Sequence, residues 1–159
     1  MYGYKAFNKG LTDNYGNVYE LNKKYLYEGK IKFKQSGFHF CKNMEDVLRY
    51  YNSFERDIEI CLIKADGVIE DYDDDYYGYY DMHSSSSFII LKVLSREEII
   101  DIMLETNELR ICRFIQGFKL TEEEIKLILN KYNSNRVEDY ILYYQKNDED
   151  AFRRRKKFN

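Results

Sequence analysis

Proline is missing from this chain of 159 residues, and so is tryptophan. Ordinary usage of about 5% would give roughly eight prolines. Alanine occurs only at Ala6, Ala65 and Ala151, whereas Lys, Asn, Ile and Tyr are abundant. Codons rich in A and T account for that balance, so the 17 tyrosines partly reflect base composition. Cysteine is sparse. Cys41, Cys61 and Cys112 are odd in number and widely spaced, which argues against a disulfide framework or a zinc knuckle. No apolar signal core follows Met1, and no run approaches the ~20 apolar residues of a membrane-spanning helix. The expectation is a soluble cytoplasmic protein with no membrane partner. Neither charge sign dominates: a formal net charge of −3 favours neither a wholly basic nucleic-acid binder nor a heavily acidic DNA mimic. Missing too are a Gly-x-Ser-x-Gly elbow, a Ser-x-x-Lys motif and a phosphate-cradling glycine loop.

What is present suffices for a packed core, because 44% of residues are hydrophobic. The first third reads as short aromatic or β-branched strands at Tyr4–Asn8, Val18–Leu21, Tyr25–Tyr27 and Ile31–Phe33, separated by Gly and Asn. Phe38–Cys41 is a further strand. It runs into a helix from Met44 to Tyr51, with Asn43 as cap and Met44, Val47, Leu48 and Tyr51 at helical spacing. Ile58–Ala65 is apolar on both faces and reads as a central strand. Asp66-Gly67 suggests a turn and Val68-Ile69 a short return strand. From Glu70 to Ser87 the periodicity lapses, which predicts an exposed loop with Ser84–Ser87 as a flexible joint; Phe88–Leu94 restores a buried strand.

After Ser95 the pattern turns helical. Ser95 with Glu98 and Thr121 with Glu124 form capping boxes, and Asn135 with Glu138 resembles a third. Leu109–Phe118 reads as a helix. Ile125, Ile128, Leu129 and Tyr132 form one apolar stripe; Val137, Tyr140, Ile141 and Tyr144 form another. The short Asn133-Ser134-Asn135 link implies an antiparallel hairpin of these two helices, leaving Glu123, Lys126 and Asp139 to water. The fold class is therefore α+β: a β-rich part with one short helix, then an all-helical part ending in a helix hairpin. The domains are placed at 1–104, β-rich, and 105–159, a helical extension packed on it with a basic tail.

Chemistry-bearing residues are few. His39 and Cys41 lie two apart on a strand and share a face opposite Phe38 and Phe40. Such a pair can help bind zinc or form a thiolate nucleophile, but no further ligand has supporting spacing, so neither a metal nor a cofactor is expected. Glu70–Asp81 holds six acids, five tyrosines and no base. An EF-hand loop counted from Asp71 would need Gly where Tyr76 stands and Glu where Met82 stands. The segment reads either as a solvated acidic loop or as a contact surface. In the second reading Asp71, Tyr72, Asp73, Asp74, Asp75, Tyr76, Tyr77, Tyr79, Tyr80 and Asp81 bind a partner. The run Arg153, Arg154, Arg155, Lys156 and Lys157 reads as a weak nucleic-acid contact or a solubilising end.

Tyr4-Lys5-Ala6-Phe7-Asn8-Lys9-Gly10-Leu11, Tyr25 with Gly29, Gly37-Phe38-His39-Phe40-Cys41, Tyr50-Tyr51 and Leu94-Ser95-Arg96-Glu97-Glu98 resemble an uncharacterised β-rich domain of phage, large-virus and bacterial proteins. The resemblance spans roughly residues 2 to 104 and implies no established activity. A fainter likeness is to the ADP-ribosyltransferase fold, in which an early strand precedes a Gly-aromatic strand and a helix ending in an aromatic. That likeness implies an NAD-consuming transferase with its pocket between the Tyr4–Phe7 strand and the Phe38–Tyr51 junction. The leading expectation is a non-enzymatic binding or inhibitory protein of phage or mobile-element type. Its partner would be a host protein or nucleoprotein complex with a basic groove, as in an anti-CRISPR-like inhibitor of a nucleic-acid-targeting defence complex. The third expectation is a structural or nucleic-acid-contacting module.

Overall fold

A computed structural model of the chain describes residues 1–33, 35–71 and 81–145. The described elements are β1 (Tyr2–Asn8), β2 (Lys24–Leu26), β3 (Phe38–Phe40), a 3-10 helix (Met44–Arg49), β4 (Ile58–Asp71), β5 (His83–Val93), α1 (Arg96–Leu104), α2 (Glu108–Gly117), α3 (Glu122–Tyr132) and α4 (Asn135–Tyr144). The α+β expectation holds, with strands first and helices after. The described residues form two compact units: those of Met1–Tyr51 with Arg56–Leu94, and Asn52–Glu55 with residues 95–145.

In the first unit the sheet is antiparallel in the order β1-β4-β5-β2. β3 also pairs with β5, so the edge of β5 away from β4 is shared by β3 at Phe38↔Ser85 and by β2 at Tyr25↔Phe88. Past Phe40 the chain returns to β1: Cys41 N donates to Tyr4 O (2.9 Å) and Tyr4 N to Cys41 O (2.6 Å). This one bridge brings the end of β3 back against β1 and covers part of the edge that β1 would otherwise expose. Inside lie Phe7, Phe40, Cys61, Ile63, Ala65, Phe88 and Ile90. Phe38, Tyr25 and Tyr19 surround Phe88 at ring-centroid separations of 4.6, 5.4 and 5.6 Å. Aromatic bulk fills this core in place of tryptophan.

The bridge depends on Gly3. A Cβ there would stand 2.6 Å from Phe40 Cδ2 and 2.7 Å from Cys41 O. The ring can turn, but the carbonyl is pinned by Tyr4. Gly3→Ala is expected to cost about 1–3 kcal/mol through overpacking. An unchanged urea midpoint would mean that β1 and Cys41 are not tightly joined.

Several expectations are corrected here. Val18–Leu21 and Ile31–Phe33 form only isolated bridges, because these short stretches lack a continuous partner. The predicted helix after Asn43 is a 3-10 helix. It buries Met44, Val47 and Leu48 as the spacing requires, but the Asn43 side chain makes no cap bond. Asp66-Gly67 is a bulge, not a turn, and β4 continues through it. Asp66 pairs with Ser87 and Ile69 with Ser85, so Gly67 and Val68 together oppose Ser86. Gly67 takes φ +76°, and the Val68 amide released from the ladder donates to Ser86 Oγ (2.9 Å). The predicted loop from Glu70 to Ser87 is strand at both ends, and Ser84, Ser85 and Ser87 are buried rather than a flexible joint. Ladder pairing satisfies their backbone, and their small side chains fit a paired sheet where hydropathy gives no signal.

The second unit follows the capping signals. Ser95 and Thr121 each form a full capping box, with Glu98 and Glu124 respectively. The third cap lies one residue earlier than expected, since Ser134 accepts from Val137 N while Asn135 is already helical. Asn133, at φ 38°, makes the left-handed turn between α3 and α4. Ile128, Val137, Ile141 and Tyr144 are buried, while Glu123, Lys126 and Asp139 are exposed, as the stripes imply. Arg96 grips Glu124 with two bonds (2.5 and 2.7 Å) and lies over the Phe118 ring. Burial pulls the Glu124 pKa upward, but the bonds from Arg96 and Thr121 outweigh it and hold it below the usual value. Gln145 donates to the carbonyls of Ile115 (2.6 Å) and Phe118 (2.9 Å), satisfying the C-terminal turn of α2.

Candidate functional site

The chain's only two histidines lie in adjacent rows where β3, β5 and β4 run side by side. The ladder sets two adjacent rows. Phe40, His83 and Asp71 form one, and His39, Ser84 and Glu70 form the next. Adjacent rows project to opposite faces of the sheet.

In the first row the His83 ring is buried, 5.2 Å from the Phe40 ring. Both of its nitrogens are engaged: Nδ1 meets Asp71 Oδ1 and Nε2 meets Asp81 Oδ1. The second oxygen of Asp81 accepts the Asn43 backbone amide (2.9 Å), and Asn43 Nδ2 reaches Asp46 Oδ2 (3.3 Å). His83 thus joins the last residue of β4, the residue two before its own strand and, through Asp81, the start of the 3-10 helix. Carboxylates only accept, and a neutral imidazole offers one N–H. A neutral ring therefore donates to one of the two carboxylates, and an imidazolium to both.

In the second row Ser84 Oγ and His39 Nε2 are buried without a protein partner among the described residues. Burial first, and the nearby Lys5 charge second, hold the His39 pKa below its ordinary value. Lys5 stands opposite Cys61 in β1, donates to His39 O (2.8 Å) and lies 5.5 Å from the Phe7 ring centre. Burial lowers its pKa to about 8, despite the opposing pull of Cys41, Asp13 and Cys61. Lysines shifted this way can serve as nucleophiles, but this nitrogen is committed to a backbone carbonyl.

The three thiols are buried and free. Burial, then the charges of Asp46 and Asp81, raise the Cys41 pKa far above its usual value. Cys61 is pushed up to about 12 and Cys112 to about 11, burial leading in both. Thiols so placed are poor nucleophiles. Among the described residues no group of three His, Cys, Asp or Glu side chains is arranged to hold a metal ion. None of their helices is long and apolar enough to cross a membrane.

Of the residues assigned to partner binding, Asp71 and Asp81 are brought together by His83. Asp71 is half exposed and Asp81 mostly covered. Tyr72, Asp73, Asp74, Asp75, Tyr76, Tyr77, Tyr79 and Tyr80 lie outside the described residues, as do Arg153, Arg154, Arg155, Lys156 and Lys157. No short motif marks His83 in the sequence. Asp81 and His83 are two apart on an extended chain, a spacing that places them on one face, but Asp71 joins them only through the β4–β5 register.

No curated protein and no solved structure matches the chain. A family model does match its opening part, taking in β1, the Gly-Phe-His-Phe-Cys strand, the 3-10 helix and β4. Over residues 1–76 the chain is similar to an uncharacterised family, described as a domain of unknown function (DUF7666).

Proposed function

We propose that this is a non-enzymatic binding protein whose acidic, tyrosine-rich segment Glu70–Asp81 engages a basic surface on a partner. The observation that carries the reading is the joining of Asp71 and Asp81, the two described acids flanking residues 72–80, on one buried imidazole. Tying both ends of a contact segment lowers the entropy lost when it binds. Tyrosines add rigid amphipathic area, and aspartates address Arg or Lys. A groove built to grip phosphates is the partner surface such a segment fits. Blocking a nucleic-acid-targeting defence complex, as a phage or mobile-element protein would, is the specific form we favour. Three buried free cysteines suit the reducing cytoplasm in which that would occur.

Nona-arginine is a defined probe for the interaction. Its affinity should fall about tenfold in D73A/D74A/D75A and stay near wild type in the charge-matched E28A/D101A/D139A, whose sites are exposed and distant in sequence. Equal weakening in both triple variants would reduce the effect to net charge and remove the segment as the contact.

A further inference from the structure

We propose that Asp71, His83 and Asp81 form a proton-operated latch. The doubly protonated imidazole binds the end of the β4–β5 pair to the start of the 3-10 helix, and loss of one ring proton releases one of the two carboxylates. The latch is a property of the described fold and goes beyond the binding reading; it stands whether or not residues 70–81 meet a partner.

Three features support it. The imidazole is buried, so water cannot readily replace a lost protein contact. Its two acceptors come from separate places, Asp71 at the end of β4 and Asp81 ahead of β5. Asp81 carries the connection onward, because its other oxygen holds the Asn43 amide at the entrance to the 3-10 helix. A neutral ring has one N–H and one lone pair, so one carboxylate would then face a lone pair at hydrogen-bond distance. That repulsion opens either the Asp71 side or the Asp81–Asn43 side.

Other titratable groups lie around the array and set the controls. Glu70 precedes Asp71 on β4; His39 and Cys41 are on and after β3; Glu45 and Asp46 are in the 3-10 helix; Lys5 is on β1. Lys5, with its pKa lowered to about 8, titrates in the same range in which the latch is tested. His39 is held below its ordinary value by burial and by the nearby Lys5 charge. A bulk pH profile would therefore mix several groups, and a site-specific reading is required.

The test uses the full chain with 15N-labelled histidine, followed by NMR from pH 6 to 9. Between the pH at which the His83 ring signals show protons on both nitrogens and the pH at which they show one, exchange protection of the Asn43 or Asp71 amide should fall about tenfold after correction for the intrinsic base-catalysed rate. His83→Gln should abolish this pH-dependent loss. Asp71→Asn, at a half-exposed site, keeps the test available if the His83 variant does not fold. It should remove any change at the Asp71 amide and leave the Asp81–Asn43 bond protected across the range. Unchanged protection at both amides between the two states of the ring, or the same loss in His83→Gln, would overturn the latch.

Discussion

Replacing Phe88 by alanine is expected to cost the first unit about 3–5 kcal/mol. The side chain is 1% exposed and sits where β4, β5 and β2 meet, opposite Ala65 on one side and Tyr25 on the other. Ala65 is too small to fill the space from across the strand. Tyr19, Tyr25 and Phe38 lean on the ring from separate segments, so its loss leaves three aromatic faces without a neighbour. Tyr25 is also held in place by its hydroxyl, which accepts the Glu20 amide (2.8 Å). The surrounding groups can therefore collapse only partly, and an unfilled cavity adds to the lost transfer energy. Urea unfolding followed by tyrosine fluorescence reads the effect. A loss below about 1 kcal/mol would show that this aromatic cluster does not hold the sheet together.

Ile128→Ala should destabilise the second unit by about 2–5 kcal/mol. Ile128 is fully buried on the inner stripe of α3, and Val137 on α4 is buried as completely. The hairpin offers little freedom to close a gap. Its turn is fixed by the left-handed Asn133 and the Ser134 cap, while Tyr132 at the end of α3 donates to the Met103 carbonyl (2.8 Å). A substitution on the outer face supplies the comparison. Leu127, half exposed on the same helix, should tolerate alanine within about 0.5 kcal/mol. Equal melting temperatures for wild type and Ile128→Ala would place this hairpin outside the folded core.

The contrast between the two units explains what the sequence could reveal. In the helices, Ile125, Ile128 and Leu129 repeat at a spacing that only a helix turns to one side, and Ser95 and Thr121 mark the starts through bonds made within one turn. Such local signals can be read without knowing the rest of the fold. The sheet was legible where apolar residues persist, as at Ile58–Ala65. It was not legible at Ser84, Ser85 and Ser87, whose burial depends on the strands lying on either side of β5. Gly67 looked like a turn because glycine at positive φ serves turns and bulges alike; the opposing strand decides between them. The same limit applied to the candidate site. The acidic, tyrosine-rich composition around it was visible, but the contact of His83 with an aspartate twelve residues earlier is set by strand register. His39 and Cys41 share a face through their i, i+2 spacing, yet only the pairing of β3 with β5 sets His39 in the row beside that of His83, on the opposite face.

The most direct measurement is a residue-resolved NMR titration of the full chain with nona-arginine at low salt. The account predicts that shifts and broadening begin at Glu70, Asp71, Asp81 and Met82 and at the resonances of residues 72–80. They should fade as salt screens the charges, with α3 and α4 left unchanged. Perturbations spread over exposed acids throughout the chain, or centred on the helices while Asp71 and Asp81 stay still, would contradict it.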